Sequence, residues 1–311
     1  MRRLQGETMG TTWSAVAAAP ARLSVDTLDA AILRALDTVV SQMSAWETLS
    51  HLSRFNRAEP GSVHDLPPEF FTVLDYALTV AAETNGAYDP AAGALTALWG
   101  FGPEGRGRCV PGDAAIAAAR AASNWRRLSL QQGSRSAMQP GGLVVDLCAV
   151  AKGFAVDCLA DVMRAHGCAG FLVEIGGELR GEGCKPDGTP WWVAVELPRG
   201  AAGLPDTLIA LHGLAVATSG DHRRYFEHEG CRYGHTIDPR SGRPVQNGVA
   251  AVTVVAESCM EADALSTALF VLGEDDGLRF AEQRGIAAMF VLTGENGLRQ
   301  RVSPAFAAMM A

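Results

Sequence analysis

Leu143-Val144-Val145-Asp146-Leu147-Cys148-Ala149-Val150-Ala151-Lys152-Gly153 opens a segment that closes at Phe171-Leu172-Val173-Glu174-Ile175-Gly176-Gly177. The apolar run 143–147 reads as a short strand, and residues 150–166 place apolar side chains at helical spacing. Phe171–Ile175 reads as the next strand, stopped by the Gly-Gly pair. The pattern is strand, turn, helix, strand, with Asp146 delivered by the first strand and Lys152 at the helix start. Downstream, strands are expected at 191–197, 208–217, 232–237 and 250–256, helices at 260–272 and 275–284, and a closing strand at 286–292. Upstream, a strand is expected at 11–18 and a helix from Asp26 to Trp46, capped by Ser24 or Asp26. Pro67-Pro68 opens a helix over 69–83 that Asn85-Gly86 stops, and another covers 113–122. Helices and strands mix without strict alternation, so the fold class is α+β and not a doubly wound parallel sheet. No repeat, low-complexity tract or linker interrupts the chain, and the loop around 198–205 reads as the place most tolerant of insertion.

The chain has 311 residues, 48% of them apolar, with 26 Lys+Arg against 34 Asp+Glu and a net charge of −8. That is enough to bury a core in one large or two modest domains, and it excludes disorder, collagen and coiled coil. An acidic chain without a long basic run excludes nucleic acid as a partner. No stretch of about 18 uncharged apolar residues exists to span a bilayer. Seven cysteines, odd in number, scattered and without a Cys-x-x-Cys, read as reduced thiols in a reducing compartment. Cys148, Cys158 and Cys168, ten residues apart, read as core fillers. Met1-Arg2-Arg3 with the alanines at 15–19 superficially resembles a secretory signal, but Glu7, Thr8, Gly10, Thr11 and Thr12 break its apolar region. A cytoplasmic location is therefore expected, or a periplasmic one if a leader has been removed.

Two motifs fail on inspection. Gly100-Phe101-Gly102-Pro103-Glu104-Gly105 spells G-x-G-x-x-G, but no strand precedes it and Arg106-Gly107-Arg108 follows in place of a helix. His222, His228, Cys231 and His235 lie close in sequence, at spacings that fit no standard four-ligand zinc site.

Three groups of residues carry chemistry. Asp146 and Lys152 flank a turn into a helix, where free N–H groups and an ammonium make a phosphate cradle; taken alone, the pair also fits a buried structural Asp–Lys contact. Ala217-Thr218-Ser219-Gly220-Asp221 is followed by Gly234-His235-Thr236-Ile237-Asp238-Pro239, where His235 precedes an Asp-Pro turn. Its ring projects from a strand end, as a reactive group or as a satisfied turn histidine. In Glu261-Ala262-Asp263-Ala264-Leu265-Ser266-Thr267, Asp263 and Thr267 stand at i, i+4 in the first turns of a helix. A carboxylate and a hydroxyl there suit a hard cation such as Mg²⁺, or a capping cluster.

Taken together, these elements resemble the ApbE family of FAD:protein FMN transferases. The resemblance also rests on Met9-Gly10-Thr11-Thr12, Met43-Ser44 through Ser53-Arg54-Phe55-Asn56, Gly86-Ala87-Tyr88-Asp89-Pro90, Leu98-Trp99-Gly100-Phe101-Gly102 and Gly176-Gly177. They occur in family order over residues 5–295, leaving 296–311 as a C-terminal tail. The resemblance implies a two-lobed, T-fold-like α+β architecture with FAD and a metal ion between the lobes. It implies FAD contacts at Met9, Trp46, Ala87, Tyr88, Asp89, Asp146, Lys152, His235 and Ile237. It implies a metal held by Asp263, Thr267, the Ala149 carbonyl and an oxygen of Ser266, with Mg²⁺ expected and Mn²⁺ or Ca²⁺ as alternatives. Trp46 stands where many relatives have Tyr, and Cys148 where Gly or Ser is usual.

The implied reaction is attack of a Thr or Ser hydroxyl of an acceptor flavoprotein on the FMN phosphorus of FAD, with AMP leaving. His235 is the candidate base, with Asp146 second, and Lys152 supplements the charge on the diphosphate. An FAD pyrophosphatase using water at the same site, and a non-catalytic flavin-binding protein, are the competing readings. The Asp263/Thr267 pair weighs against the latter.

Overall fold

Every strand of the central sheet runs antiparallel to its neighbours in the computed structural model, which describes residues 1–103, 109–198, 201, 203–221, 224–295 and 297–310. The eight strands lie side by side in the order Arg2–Thr8, Thr11–Ala17, Phe171–Ile175, Glu178–Glu182, Leu214–Gly220, Val249–Ala256, Ala287–Gly294, Gly297–Val302. Their alternation sets which face is buried: Trp13, Ala15 and Ala17 on one strand and Phe171, Val173 and Ile175 on the next turn into the core. Val249–Ala256, in the middle, is nearly all apolar because both of its faces are covered.

Helices Val25–Met43, Pro68–Glu83, Ala151–Ala165 and Cys259–Arg284 contribute most of the rest of the main core. Across the sheet, the Trp191–Ala194 and Leu208–Leu211 hairpin and the Pro304–Met309 helix form a second cluster around Trp191, Leu211, Val216 and Phe306. A third cluster, of Leu95, Trp99, Phe101, Ile116, Phe226 and Ile237, is a packing centre of its own. It joins the Gly93–Leu98 and Asp113–Ala122 helices to the Tyr225–His228 and Cys231–Gly234 hairpin. The α+β class expected from the sequence is what the chain adopts.

Several local expectations are corrected. Residues 143–147 are extended but not a ladder strand, and only Val144 forms an isolated bridge, to Ala92. The reason is that side chain and loop take the backbone groups: Asn56 Nδ2 donates to Val145 O at 2.9 Å, Val145 N–H donates to Asn56 Oδ1 at 2.8 Å, and Asp146 N–H donates to Pro90 O at 2.8 Å. The run 208–217 is two strands, because Gly213 takes a left-handed φ of 76° and turns the chain. Residues 232–237 likewise divide into Cys231–Gly234 and Ile237–Asp238.

The two helices expected at 260–272 and 275–284 are borne out: the Cys259–Arg284 span is divided at Gly273, whose backbone is non-helical. The stretch read as a tail supplies the Gly297–Val302 edge strand and a helix that buries Phe306. The first residues form the Arg2–Thr8 strand, joined to Thr11–Ala17 through Met9 and Gly10, both at positive φ, as a two-residue hairpin turn requires. Cys158 and Cys168 are half-buried and pack against the main core as expected, whereas Cys148 is exposed and is not a core filler. Glu104–Arg108 of the glycine-rich motif, His222, and residues 199, 200 and 202 of the expected tolerant loop lie outside the described residues. Among the described residues no helix is long and apolar enough to cross a membrane.

Candidate active site

The main core and the third cluster meet at a cleft of about 400 Å³. Its floor is made where two helices touch. Gly153, in the first turns of Ala151–Ala165, packs so closely on the Cys259–Arg284 helix that an added Cβ would lie 2.2 Å from Cys259 O and 2.7 Å from Asp263 Cβ. The approach allows Gly153 N–H, one of the unpaired donors of a helix start, to donate to Asp263 Oδ2 at 2.9 Å. Asp157, one turn further on, accepts from the N–H groups of Cys259 and Met260, both at 2.9 Å. Its carboxylate thus caps the second helix from the first, beside the Ser258 cap that accepts from Glu261 N–H.

Lys152 reaches the opposite wall and forms an ion pair with Glu178. Glu178 is buried at the start of its strand, while the Lys152 side chain keeps 31% of its surface open to the cleft. Burial by itself would lower the Lys152 ammonium; Glu178 and then Asp263 outweigh it and hold the group above the ordinary lysine value. Burial pushes the Asp263 carboxyl up, against the pull of Lys152 and of the Gly153 N–H. Glu178 is likewise pushed up by burial and drawn back by Lys152. Among the described residues, two buried polar atoms of cleft residues have no hydrogen-bond partner: Glu178 Oε2 and the Tyr88 hydroxyl.

Ser219, at the end of its strand, faces the same helix. Its Oγ lies 2.9 Å from Thr267 Oγ1 and 2.7 Å from Ser266 Oγ. His235 sits 3.2 Å through Nδ1 from the Arg224 carbonyl, with the Phe101 ring edge-on to its own. A carbonyl only accepts, so Nδ1 carries the proton and Nε2 is the basic nitrogen of the neutral ring.

Of the residues singled out from sequence, Trp46, Ala87, Tyr88, Asp89, Asp146, Ala149, Lys152, His235, Ile237, Asp263 and Thr267 all line this cleft. Trp46 is half exposed at its mouth. Met9 does not line the cleft; it occupies the hairpin turn. Ser266 does not line it either, in contrast to the expected role of its oxygen as a ligand. It is fully buried, and its Oγ donates to the Asp263 carbonyl at 2.9 Å inside the helix. Asp89 uses both carboxylate oxygens on backbone, accepting from Ala91 N–H at 2.7 Å and Trp125 N–H at 3.2 Å. Asp146 accepts from Cys148 N–H at 2.9 Å and so shapes the turn that presents Ala149.

Sequence reasoning missed Glu178, Ser219 and Arg224 as site residues. Glu178 directly follows the quoted Gly-Gly pair and Ser219 lies inside a quoted motif, so their positions were in view without a reason to assign a role. Arg224 lines the cleft and donates to the Phe101 carbonyl at 3.2 Å, a placement that only the fold supplies.

The charge of the cleft decides what it can hold. Among the described residues, five carboxylates line it, from Asp89, Asp146, Glu178, Glu196 and Asp263, against the cations of Lys152 and Arg224. A diphosphate would be repelled there unless a cation joined it. Asp263, the Thr267 hydroxyl and the Ala149 carbonyl are hard oxygen donors suited to such a cation, with water and phosphate completing its shell. Among the described residues no group of three or more His, Cys, Asp or Glu side chains gathers as a metal-binding set.

Fold and cleft thus describe an α+β protein that sets hard oxygen donors beside two cations in one groove. The chain belongs to the ApbE family, whose profile matches residues 9–290. It is 40% identical over 304 residues to the FAD:protein FMN transferase of Vibrio cholerae serotype O1, covering 97% of this chain and 91% of that protein. The FAD:protein FMN transferase of Escherichia coli K12 is 33% identical over 307 residues, covering 97% and 87%. The solved flavin transferase ApbE from Vibrio cholerae superposes with a TM-score of 0.92 at 37% identity, covering 99% of this chain and 98% of the other. The apo form of Pseudomonas stutzeri flavinyl transferase ApbE superposes with a TM-score of 0.90 at 38% identity, covering 99% and 96%.

Proposed function

We propose that this protein transfers the FMN part of FAD to a Thr or Ser hydroxyl of an acceptor flavoprotein, releasing AMP, in a Mg²⁺-dependent reaction. The observation that carries the reading is the convergence of Asp263, Thr267, Lys152 and His235 on one net-acidic cleft in a chain of this family. Asp263, Thr267 and the Ala149 carbonyl would hold the metal ion. When bound, it supplies positive charge to the diphosphate as the P–O bond breaks.

The chain's own groups do the rest. Lys152 faces the diphosphate and stabilises the charge that gathers on it. Glu178 holds the Lys152 ammonium at that wall, leaving protons of the ammonium to donate to phosphate oxygens. Trp46 offers a flat apolar surface at the cleft mouth for the isoalloxazine ring. His235 Nε2 accepts the proton of the acceptor hydroxyl as its oxygen bonds to the FMN phosphorus. The bond from that phosphorus to the bridging oxygen breaks, and AMP leaves with the electron pair.

The test is Asp263→Ala, assayed for flavin attached to an acceptor found by flavin fluorescence in denaturing gels of co-expressed proteins. The variant is expected to lose transfer at Mg²⁺ concentrations that saturate the parent protein. Transfer at an unchanged rate would remove the metal from the reading. Free FMN and AMP in equal amounts with no labelled acceptor would replace transfer by hydrolysis.

A further inference from the structure

A run of hydroxyls in the cleft wall determines which side of Thr267 faces the cleft. Ser266 Oγ donates its single proton to the Asp263 carbonyl at 2.9 Å. Either oxygen of the 2.7 Å contact between Ser219 and Ser266 could donate; with the Ser266 proton on the carbonyl, it runs from the Ser219 proton to Ser266 Oγ. With that proton committed, the 2.9 Å contact between Thr267 and Ser219 runs from Thr267 to Ser219. Three hydroxyls thereby point their protons one way, ending on a helix carbonyl, and Thr267 Oγ1 is left with lone pairs alone at the cleft surface. A hydroxyl turned this way accepts and cannot donate, so it attracts a cation and repels a phosphate oxygen.

We propose that Ser219 and Ser266 are positioning residues that orient Thr267 as an obligatory acceptor, so that a divalent cation and not the diphosphate occupies the place beside Asp263. The proposal rests on the metal-dependent transfer argued above. It gives Ser266, fully buried behind the wall, an influence on a cation that it does not touch. Loss of Ser219 frees the Thr267 proton to turn into the cleft. Loss of Ser266 strands the Ser219 proton, which then competes for Thr267 Oγ1.

The experiment titrates Mn²⁺ alone into the full chain and reads the free-ion signal by electron paramagnetic resonance. Ser219→Ala is expected to weaken Mn²⁺ binding about tenfold, in the range that groups orienting metal ligands reach. Ser266→Ala, in a helix that tolerates alanine, is expected to weaken it comparably. Because both break one run of hydrogen bonds, the double variant is expected to be no weaker than the weaker single one. Ser219→Thr, which keeps the hydroxyl, is expected to bind as the parent does. In transfer assays the Mg²⁺ needed for half-maximal rate rises in the alanine variants, while the rate at saturating Mg²⁺ returns to that of the parent. Mn²⁺ binding unchanged in Ser219→Ala, or single effects that add in the double variant, overturns the proposal and leaves the transferase reading intact. Failure of the parent chain to bind Mn²⁺ would overturn both.

Discussion

Gly153 N–H donates to Asp263 Oδ2 at 2.9 Å, tying the helix that carries Lys152 to the helix that carries Asp263 and Thr267. This contact between backbone and side chain sets the Asp263 carboxylate against the start of the neighbouring helix. It exists because residue 153 has no Cβ.

Gly153→Ala should therefore damage both stability and site. The new methyl would meet the Cys259 carbonyl at 2.2 Å, and neither backbone can yield without parting the helices. Overpacking of this kind costs about 1–3 kcal/mol, and the separation draws Asp263 away from the cation. Denaturant unfolding and Mn²⁺ titration of the same variant check it, with both values expected to fall. An unchanged Mn²⁺ affinity would show that the helix contact does not position Asp263.

Lys152→Met should weaken FAD binding about tenfold or more, since a hydrogen bond to a charged group is worth about 1.5–3 kcal/mol. The change also leaves the Glu178 carboxylate buried without its counter-charge, which raises its protonation further. Calorimetric titration with FAD reads the first effect. FAD affinity within twofold of the parent would place the diphosphate away from this wall.

His235→Gln should lower kcat about 10²–10⁴-fold, the usual contribution of a positioned base, with FAD affinity changed far less. Separate measurement of FAD binding and of single-turnover transfer distinguishes the two. If kcat is unaffected, the proton goes elsewhere, and Asp146 is the next candidate on the cleft wall.

Asp89 links the cleft to pH through stability. Burial raises its carboxyl from the ordinary 3.8 to about 6, against hydrogen bonds from the Ala91 and Trp125 N–H groups. Between those two values the folded chain keeps a proton that the unfolded chain has released. The contribution of Asp89 to stability therefore falls as pH rises through that window, and is constant above it. Unfolding free energies of the parent minus those of Asp89→Asn should decrease from about pH 4 to about pH 6 and then level. A flat difference would contradict the raised value.

Periodicity made most of the regular structure legible. Phe171–Ile175 and Asp113–Ala122 match their expected bounds, because each is bounded by strong stop signals and follows one clear period. Residues 143–147 misled because an apolar extended run looks the same whether its partners are strands or, as here, Asn56 and Pro90. The Arg2–Thr8 and Gly297–Val302 edge strands were not read at all. They carry Arg, Gln and Glu on a face that an edge leaves in water, and local pattern then loses its signal.

At the site, Asp146, Lys152, His235, Asp263 and Thr267 were legible because each is a chemically active residue beside a turn or helix start. Glu178 and Arg224 were not, since their roles come from pairing across strands and loops far apart in the chain. Ser266 was legible as a residue type that suits a cation, while the inward turn of its hydroxyl onto the Asp263 carbonyl was not.

The most direct measurement is intact mass spectrometry of the acceptor, incubated with the purified chain, FAD and Mg²⁺, with AMP quantified in the same sample. The account predicts an acceptor heavier by one FMN less water, attached at Thr or Ser, with one AMP formed per adduct and neither product from Asp263→Ala. An acceptor of unchanged mass beside accumulating AMP and free FMN would contradict it.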